Sequence, residues 1–404
     1  MSAQLTPNPM RGQTPEPTPA GDATAFHRRF PDYQPTPLFD LPSIASELGA
    51  GHFLVKDESD RLGLPAFKML GAAWASYRAL VEHLGHEPEW TTFEELSAAL
   101  EPLRPISLAT ATDGNHGRAV ASFARRIGIN ARIFVPAGTS QSRIDAILGE
   151  GATCDVVDGT YDDAVARAGQ EAGPDCLVVS DTSWEGYETI PAIVIEGYST
   201  IFAELTEQLA VSNLPLPDLV VIPMGVGALA GATSQWYRRS EMPANTVLLG
   251  VEPSSANCIQ VSALAGELTE VPGPHTSIMA GLNCGLPSPV AWPWVSKGFD
   301  WFVSIDDADA ENGVRALANV GVVSGETGAS SLGALLAIGD LAQLGLPADP
   351  TILIISTEGA TDPVFYEHMV GRTAAAVAID APNCVVTQHV SGACPVARCP
   401  GTCR

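Results

Sequence analysis

Short apolar runs alternate with amphipathic segments through most of the chain, and this alternation limits the fold more than any other feature. The runs at residues 106–111, 131–135 and 154–157 are each followed by a segment with helical spacing. A second alternating series starts near residue 189 and ends in the continuous apolar run at 351–355. Buried parallel strands joined by helices have this pattern. The sequence therefore predicts an α/β fold with parallel sheets flanked by helices.

Composition limits both the number of domains and the classes of partner. A chain of 404 residues that is 46% hydrophobic is expected to form two domains or one large one. Its net charge of -25 argues against nucleic acid and against an anionic membrane as partners. The sequence has no run of eighteen apolar residues and no basic-then-apolar N-terminus, so we expect a cytoplasmic protein without a membrane span.

Both ends of the chain differ in composition from the middle. Residues 1–24 are rich in Pro, Thr, Gly and Ala, which favours a disordered leader. Residues 381–404 contain four of the eight cysteines, and we expect a disordered tail there. Three of these four cysteines and one histidine have a spacing that matches no common zinc module, so no metal site is predicted. These residues are His389, Cys394, Cys399 and Cys403.

Lys68 is one of only three lysines in the chain, the others being Lys56 and Lys297. Four large apolar residues recur around it at helical spacing: Phe67, Leu70, Trp74 and Tyr77. Lys68 is therefore predicted near the start of a helix that has a buried face. Burial of an ammonium without a partner is costly and depresses its pKa, and a neutral amine in an apolar pocket suits a Schiff-base lysine. The alternative is a lysine whose head reaches solvent from the edge of the helix.

Residues 110–117 form a glycine-containing loop between a predicted strand and a predicted helix. Gly114 and Gly117 allow a tight backbone whose amides would face an anion such as a substrate carboxylate. Asn115 offers a neutral amide for a phenolic oxygen. The alternative is an ordinary Asn-Gly turn that caps the helix.

A second glycine-rich loop, at residues 223–231, follows the predicted strand at 219–222. Such a loop before a helix N-terminus can bind phosphate. The spacing is G-x-G-x-x-x-G, which is not the dinucleotide pattern. However, Glu252 ends the next strand, where a ribose ligand would lie, so an NAD site is a rival interpretation.

Two further segments lie where ligands bind in parallel sheets, after a strand or at a helix start. Ser356 ends the last apolar run and could present a hydroxyl to a ring nitrogen. Glu326 could present a carboxylate to the edge of a ring. The alternative for Ser356 is a strand end that caps the next helix.

Together these segments resemble the fold-type II pyridoxal-phosphate enzymes, a family with a two-domain, tryptophan synthase β-like fold. Within the family, the resemblance is strongest to the diaminopropionate ammonia-lyases. It rests on residues 56–59, 66–68, 111–118, 181–187, 278–282 and 356–362. Threonine dehydratases share the scaffold but typically carry a serine where this chain has Asp113.

The resemblance implies roles for the matched residues. Lys68 would bind pyridoxal 5'-phosphate covalently, Asn115 would bond the ring oxygen and Ser356 the ring nitrogen, with Glu326 at the ring edge. The phosphate would be held by Gly225, Val226, Gly227, Ala228 and Gly231. The substrate would be bound by Thr112, Asp113, Gly114, His116 and Asp181. Catalysis would fall to Lys68, Asp113 and Asp181, whereas Lys56 and Lys297 should be dispensable for it.

The resemblance also implies a reaction, which is the α,β-elimination of 2,3-diaminopropionate to pyruvate and two ammonia. A diamino acid carries an extra cation, and Asp113 and Asp181 would complement it. Asp113 is further expected to serve the substrate face that Lys68 cannot reach, so that both enantiomers react. The alternatives are a threonine or serine dehydratase, an NAD-dependent oxidoreductase and a non-catalytic, ligand-sensing relative.

The family architecture implies a domain division and an assembly. Residues 25–74 and 188–380 would form a large cofactor-binding domain, and residues 75–187 a small domain on the substrate side. A homodimer is expected from the family. Cys258 and Cys284 lie beside matched segments and are expected to be near each other, although a cytoplasmic protein does not favour a disulfide.

Overall fold

A computed structural model of the protein describes residues 3–17, 19, 21–112 and 114–384. Asp113 and the tail residues His389, Cys394, Cys399 and Cys403 lie outside this part of the chain. The strands of the described part are β1 (Gln4–Pro7), β2 (Leu38–Asp40), β3 (His52–Asp57), β4 (Ser107–Ala111), β5 (Asn130–Pro136), β6 (Thr153–Val157), β7 (Cys176–Val178), β8 (Leu219–Pro223), β9 (Val247–Pro253), β10 (Trp301–Ile305) and β11 (Thr351–Ser356).

The strands form two sheets in the described part of the chain. The larger sheet has seven strands in the order β1-β10-β9-β8-β11-β3-β2, and the smaller has four in the order β6-β5-β4-β7. All pairs in the smaller sheet are parallel, as are those among β10, β9, β8, β11 and β3. The two edge strands of the larger sheet, β1 and β2, are antiparallel to their neighbours. The predicted parallel α/β architecture is therefore confirmed.

Helices connect the strands and cover both sheets. They are α1 (Ala23–His27), α2 (Pro42–Leu48), α3 (Lys68–Leu84), α4 (Phe93–Ala99), α5 (Asn115–Arg126), α6 (Gln141–Gly149), α7 (Tyr161–Gly169), α8 (Thr189–Gly197), α9 (Ser199–Ser212), α10 (Ala228–Tyr237), α11 (Cys258–Ala265), α12 (Trp292–Gly298), α13 (Asp307–Asn319), α14 (Glu326–Ile338), α15 (Pro363–Val370) and α16 (Ala374–Ala378). None of the helices that the structure describes is long and apolar enough to cross a membrane.

Helix α3 carries Lys68 as its first residue and buries the predicted apolar face, since Phe67, Leu70, Trp74 and Tyr77 are all buried. Helix α8 crosses α3 at very close range. A Cβ on Gly197 would lie 2.7 Å from the Leu70 carbonyl oxygen and 2.8 Å from the Gly71 Cα. Only glycine permits this approach. Helices α8 and α9 meet directly after this contact, at Tyr198.

The smaller sheet lies within residues 75–187 and the larger sheet uses strands from both flanking segments. The domain division drawn from the sequence remains a prediction. One of its boundaries, between residues 74 and 75, falls inside α3, which continues without a break to Leu84.

The expectation of a disordered leader is wrong for the residues that form β1. This strand pairs with the edge strand β10, with Gln4 opposite Ser304. Just after it, the Asn8 side chain is buried and its Nδ2 donates to the carbonyls of Ser296 (2.8 Å) and Phe299 (2.7 Å). Backbone pairing and the hydrogen bonds of a side-chain amide need no large apolar side chains, so the composition of the segment did not reveal them.

Deletion of residues 2–9 is expected to lower the free energy of unfolding by about 2 kcal/mol or more and to promote aggregation. The deletion removes two buried hydrogen bonds of Asn8 and exposes the edge of β10. Thermal melting with light scattering measures both effects. Gln13→Ala, an exposed change on the same segment, is the control. Equal melting and scattering for the two variants would contradict a stabilising role for β1.

Candidate active site

The carboxyl ends of parallel strands from both sheets open onto one cavity of about 1310 Å³. Thr112 follows β4, Gly225 follows β8, and Thr357 and Glu358 follow β11. Ligands bind at this end of the strands in open α/β sheets. Lys68, at the start of α3, lines the same cavity.

Lys68 is held by a carboxylate, which the sequence interpretation of an amine in a purely apolar pocket did not anticipate. Its Nζ lies 2.7 Å from Asp181 Oδ2, and its side chain is 24% exposed. The Phe67 ring centroid is 5.4 Å from the same nitrogen. The amine is thus both accessible from the cavity and fixed in direction by Asp181.

Asp181 is the acidic centre of the cavity. Burial alone would raise its pKa, but the charges of His116 and Lys68 outweigh burial and lower the pKa to about 2. His116 Nδ1 lies 3.8 Å from Asp181 Oδ2, and His116 Nε2 is 2.8 Å from the Val179 carbonyl oxygen, to which it donates. The carbonyl only accepts, so this bond sets the ring orientation. Asp181 is therefore ionised at neutral pH and can hold a cation.

The loop at residues 110–117 brings three of its predicted residues to the cavity, namely Thr112, Asn115 and His116. Gly114 precedes α5, and its N–H donates to Thr112 Oγ1 at 2.9 Å. Asn115 is the first residue of α5, and its Nδ2 donates to Glu358 Oε2 at 2.7 Å. The helix N-terminus faces the cavity, as an anion site requires.

The second glycine-rich loop lines the cavity through Gly225, Val226, Gly227 and Ala228. A Cβ at Gly225 would lie 2.8 Å from the Gly281 carbonyl oxygen, and Gly227 has φ of +101°. Both positions therefore require glycine. Gly231 differs, because it lies inside α10 and faces Ile195 and Ala291 in the helix packing.

At the end of β11, the residue that lines the cavity is not Ser356, as expected, but the residue after it. Ser356 is fully buried and its Oγ donates to Ser324 Oγ at 2.9 Å. The next residue, Thr357, lines the cavity, as does Thr327. The Oγ1 atoms of Thr327 and Thr357 are buried and have no hydrogen-bond partner within the described residues.

Glu326 lies behind this wall of the cavity as the first residue of α14. Burial, followed by the repulsion of Glu358, raises the pKa of Glu326 to about 7. Glu326 is not among the residues that line the cavity, whereas Thr327 and Glu358 are.

Glu252 does not serve as the ribose ligand that the rival NAD interpretation requires. It is buried, and its two oxygens accept hydrogen bonds of 2.7 Å from the backbone N–H groups of Ile259 and Gln260. These bonds cap the start of α11. The carboxylate is used inside the fold, which removes the main support for an NAD site. Cys258 and Cys284 are not joined by a disulfide.

The residues around the cavity fit the pyridoxal phosphate that the sequence resemblance implied. The glycine loop before α10 suits a phosphate, Lys68 supplies an amine, and Asn115 supplies an amide. The two unpartnered hydroxyls of Thr327 and Thr357 offer bonds that a ligand would complete. Sequence reasoning missed Thr327, Thr357 and Glu358 as site residues, although 356–362 was among the resembling segments. Within the described part of the chain, no group of three or more His, Cys, Asp or Glu residues could hold a metal ion.

Comparison with known proteins agrees with this geometry. The family model for pyridoxal-phosphate dependent enzymes matches residues 30–358. A diaminopropionate ammonia-lyase from Escherichia coli (strain K12) is 40% identical over 369 residues, which cover 88% of this chain and 92% of the relative. A crystal structure of the Escherichia coli diaminopropionate ammonia lyase in complex with D-serine aligns with a TM-score of 0.85 and 39% identity, covering 91% of this chain and 96% of that one.

The L-threonine dehydratases that are related by sequence match over a smaller part of their length. The biosynthetic L-threonine dehydratase of Mycobacterium leprae is 33% identical over 276 residues, which cover 66% of this chain but 55% of the relative. A match that is both longer and more identical is the better guide to the family. The chain therefore belongs to the pyridoxal-phosphate-dependent enzymes and, among them, to the diaminopropionate ammonia-lyases.

Proposed function

We propose that this enzyme eliminates the β-amino group of 2,3-diaminopropionate, yielding pyruvate and two ammonia. The observation that carries the proposal is the ionised Asp181 beside Lys68, at 2.7 Å, in a cavity that fits pyridoxal phosphate. A substrate with two amino groups brings one more cation than serine or threonine does. A buried carboxylate complements that cation, whereas a hydroxy amino acid has no need of it.

Each residue around the cavity has a proposed task in this reaction. Pyridoxal phosphate, when bound, supplies an electron sink for removal of the α-proton. Lys68 binds the cofactor and moves the proton at Cα, and Asp181 binds the side-chain ammonium. Thr112 and His116 hold the substrate carboxylate, and Gly114, whose N–H donates to Thr112 Oγ1, keeps that hydroxyl in place.

The remaining contacts are to the cofactor. The loop of Gly225, Val226, Gly227 and Ala228 holds the phosphate, and Asn115 bonds the ring oxygen. Thr327 and Thr357 are proposed as further hydroxyl partners, with Thr357 in place of Ser356 at the ring nitrogen. Gly231 supports the glycine loop from within α10, and Glu326 lies behind Glu358. Asp113 keeps its sequence-based role as the base on the opposite substrate face.

Substrate turnover tests the proposal directly. Purified protein loaded with pyridoxal phosphate should release pyruvate and two equivalents of ammonia from diaminopropionate, with a higher kcat/KM than for serine or threonine. Higher kcat/KM for threonine would assign the enzyme to the dehydratases. Protein that binds pyridoxal phosphate but turns over none of the three amino acids would favour a ligand-sensing relative.

Asp181→Asn is expected to reduce kcat/KM for diaminopropionate about 10- to 100-fold more than kcat/KM for serine, because it removes a charge-assisted bond to the second ammonium. Loss of the contact with Lys68 affects both substrates, so the ratio of the two losses isolates substrate recognition. Pyruvate release measures kcat/KM for both substrates. An equal loss on the two substrates would restrict Asp181 to orienting Lys68.

A homodimer and a cytoplasmic location remain proposals from the family resemblance. Light scattering coupled to gel filtration should give twice the chain mass of 42.2 kDa. Cell fractionation tests the location.

A further inference from the structure

Glu358 occupies a central place in the cavity that no role assigned so far explains. It is only 6% exposed, yet it lines the cavity. Its Oε2 accepts the 2.7 Å hydrogen bond from Asn115 Nδ2, across 243 residues of sequence. A buried carboxylate beside the amide that faces the cofactor must affect what that amide does.

The backbone of Glu358 is fixed to the segment that carries Lys68. Ala66 and Glu358 form an antiparallel bridge. The Phe67 N–H donates to the Thr357 carbonyl at 3.2 Å, and the Gly359 N–H donates to the Pro65 carbonyl at 3.0 Å. A change in position of Glu358 would therefore be transmitted to the start of α3.

The other side of Glu358 is shaped by a glycine. The Gly325 N–H donates to the Glu358 carbonyl at 3.0 Å. A Cβ on Gly325 would lie 3.1 Å from both the Cγ and the Oε1 of Glu358, and 2.6 Å from the Gly359 carbonyl oxygen. The absence of a side chain at Gly325 leaves room for the carboxylate. The position of Glu358 is thus set from three directions, by residues 65–67, by Asn115 and by Gly325.

The chemistry of an amide explains why this matters. A carboxylate accepts hydrogen bonds and donates none, whereas a carboxamide has one end that donates and one that accepts. Glu358 can therefore contact only the nitrogen end of Asn115. That nitrogen carries two hydrogens, so one bond to Glu358 leaves a second N–H for a phenolic oxygen. The reversed amide would instead bring two acceptor oxygens together.

We propose that Glu358 is a positioning residue that fixes the orientation of the Asn115 amide, so that Asn115 donates to the ring oxygen of bound pyridoxal phosphate. This inference rests on the proposed function. It separates the tasks of the two residues: Asn115 touches the cofactor, and Glu358 acts through Asn115. It also gives the Glu in the segment 356–362 a task distinct from that of Thr357.

The test compares the affinity and the spectrum of the cofactor in two variants of Glu358. Glu358→Leu removes the acceptor and should raise the Kd for pyridoxal phosphate about 10-fold or more and shift the visible absorption maximum. Glu358→Gln keeps an oxygen that accepts from Asn115 and should stay within about 3-fold of the parent. Dialysis of the loaded enzyme against decreasing pyridoxal phosphate gives Kd. Glu367→Gln, an exposed change of the same kind on α15, is the control for losses of cofactor during purification and dialysis.

A double-mutant cycle separates positioning from general damage to the fold. If Glu358 acts through Asn115, adding Glu358→Leu to Asn115→Ala should change Kd no further. Independent, additive losses would overturn the proposal, as would a parental Kd and spectrum in Glu358→Leu. Failure of the parent enzyme to convert diaminopropionate would refute the proposed function instead, and would leave the Kd comparison intact.

Discussion

Lys68→Ala is expected to abolish both the visible absorbance of bound pyridoxal phosphate and the elimination of diaminopropionate. The variant lacks the amine that lines the cavity 2.7 Å from Asp181. Without it there is neither a covalent attachment for the cofactor nor a base on that substrate face, so we expect turnover to fall roughly 10³-fold or more. Absorbance after dialysis, borohydride fixation and pyruvate release measure the three consequences.

The control for Lys68→Ala is Lys297→Ala, which should keep the absorbance and the turnover of the parent. Lys56 was also expected to be dispensable, but it is fully buried and ion-paired, so its replacement would test stability rather than chemistry. Parental turnover in Lys68→Ala would show that another group forms the attachment.

The fold was largely predictable because its main signals are local. Alternating apolar runs and helical segments identify a parallel α/β fold from windows of a few residues. The two glycine-containing loops that line the cavity were also predictable, because each directly follows a strand in the sequence. Strand β1 gave no such signal, since it is held by the backbone of β10 and by Asn8.

The site was less predictable, because its contacts join distant residues. Asp181 was matched from sequence as a substrate ligand, but its contact with Lys68 spans 113 positions. Whether Ser356 or Thr357 faces the cavity depends on where β11 ends, to within one residue. Successive side chains of a strand point to opposite faces, so a shift of one position exchanges a hydroxyl that faces the fold for one that faces the cavity. A sequence pattern does not give strand ends to that accuracy.

A buried network of charges supports the segment that leads to Lys68. Arg61 contacts both Glu58 (2.7 Å) and Glu204 (2.6 Å). Lys56 Nζ lies 2.7 Å from Glu204 and also donates to the Thr36 carbonyl at 2.9 Å. The four charged side chains are fully buried. Burial alone would raise the pKa of Glu204, but the charges of Arg61 and Lys56 hold it well below its usual range. The network contains two cations and two anions, so its charges balance.

Arg61→Leu is expected to lower the free energy of unfolding by about 3–5 kcal/mol, because it leaves Glu58 and Glu204 buried with Lys56 as the one remaining cation of the network. The Arg61 N–H donates to the Leu64 carbonyl at 2.8 Å, so a shift of residue 61 in the variant reaches the loop before α3. The loop before α3 should therefore loosen, and cofactor loading should weaken with stability. Urea unfolding measures the first effect and visible absorbance at limiting pyridoxal phosphate the second.

Arg28→Leu is the matched control, since Arg28 also pairs with a glutamate, Glu207 at 2.6 Å, but with both side chains exposed. An exposed pair contributes about 0–1 kcal/mol, so this variant should unfold almost as the parent does. The two variants remove the same side chain and differ in burial. If Arg61→Leu lost no more stability than Arg28→Leu, the buried carboxylates would have to take up protons or water at little cost. Unchanged cofactor loading in Arg61→Leu would show that the network has no part in holding Lys68 in place.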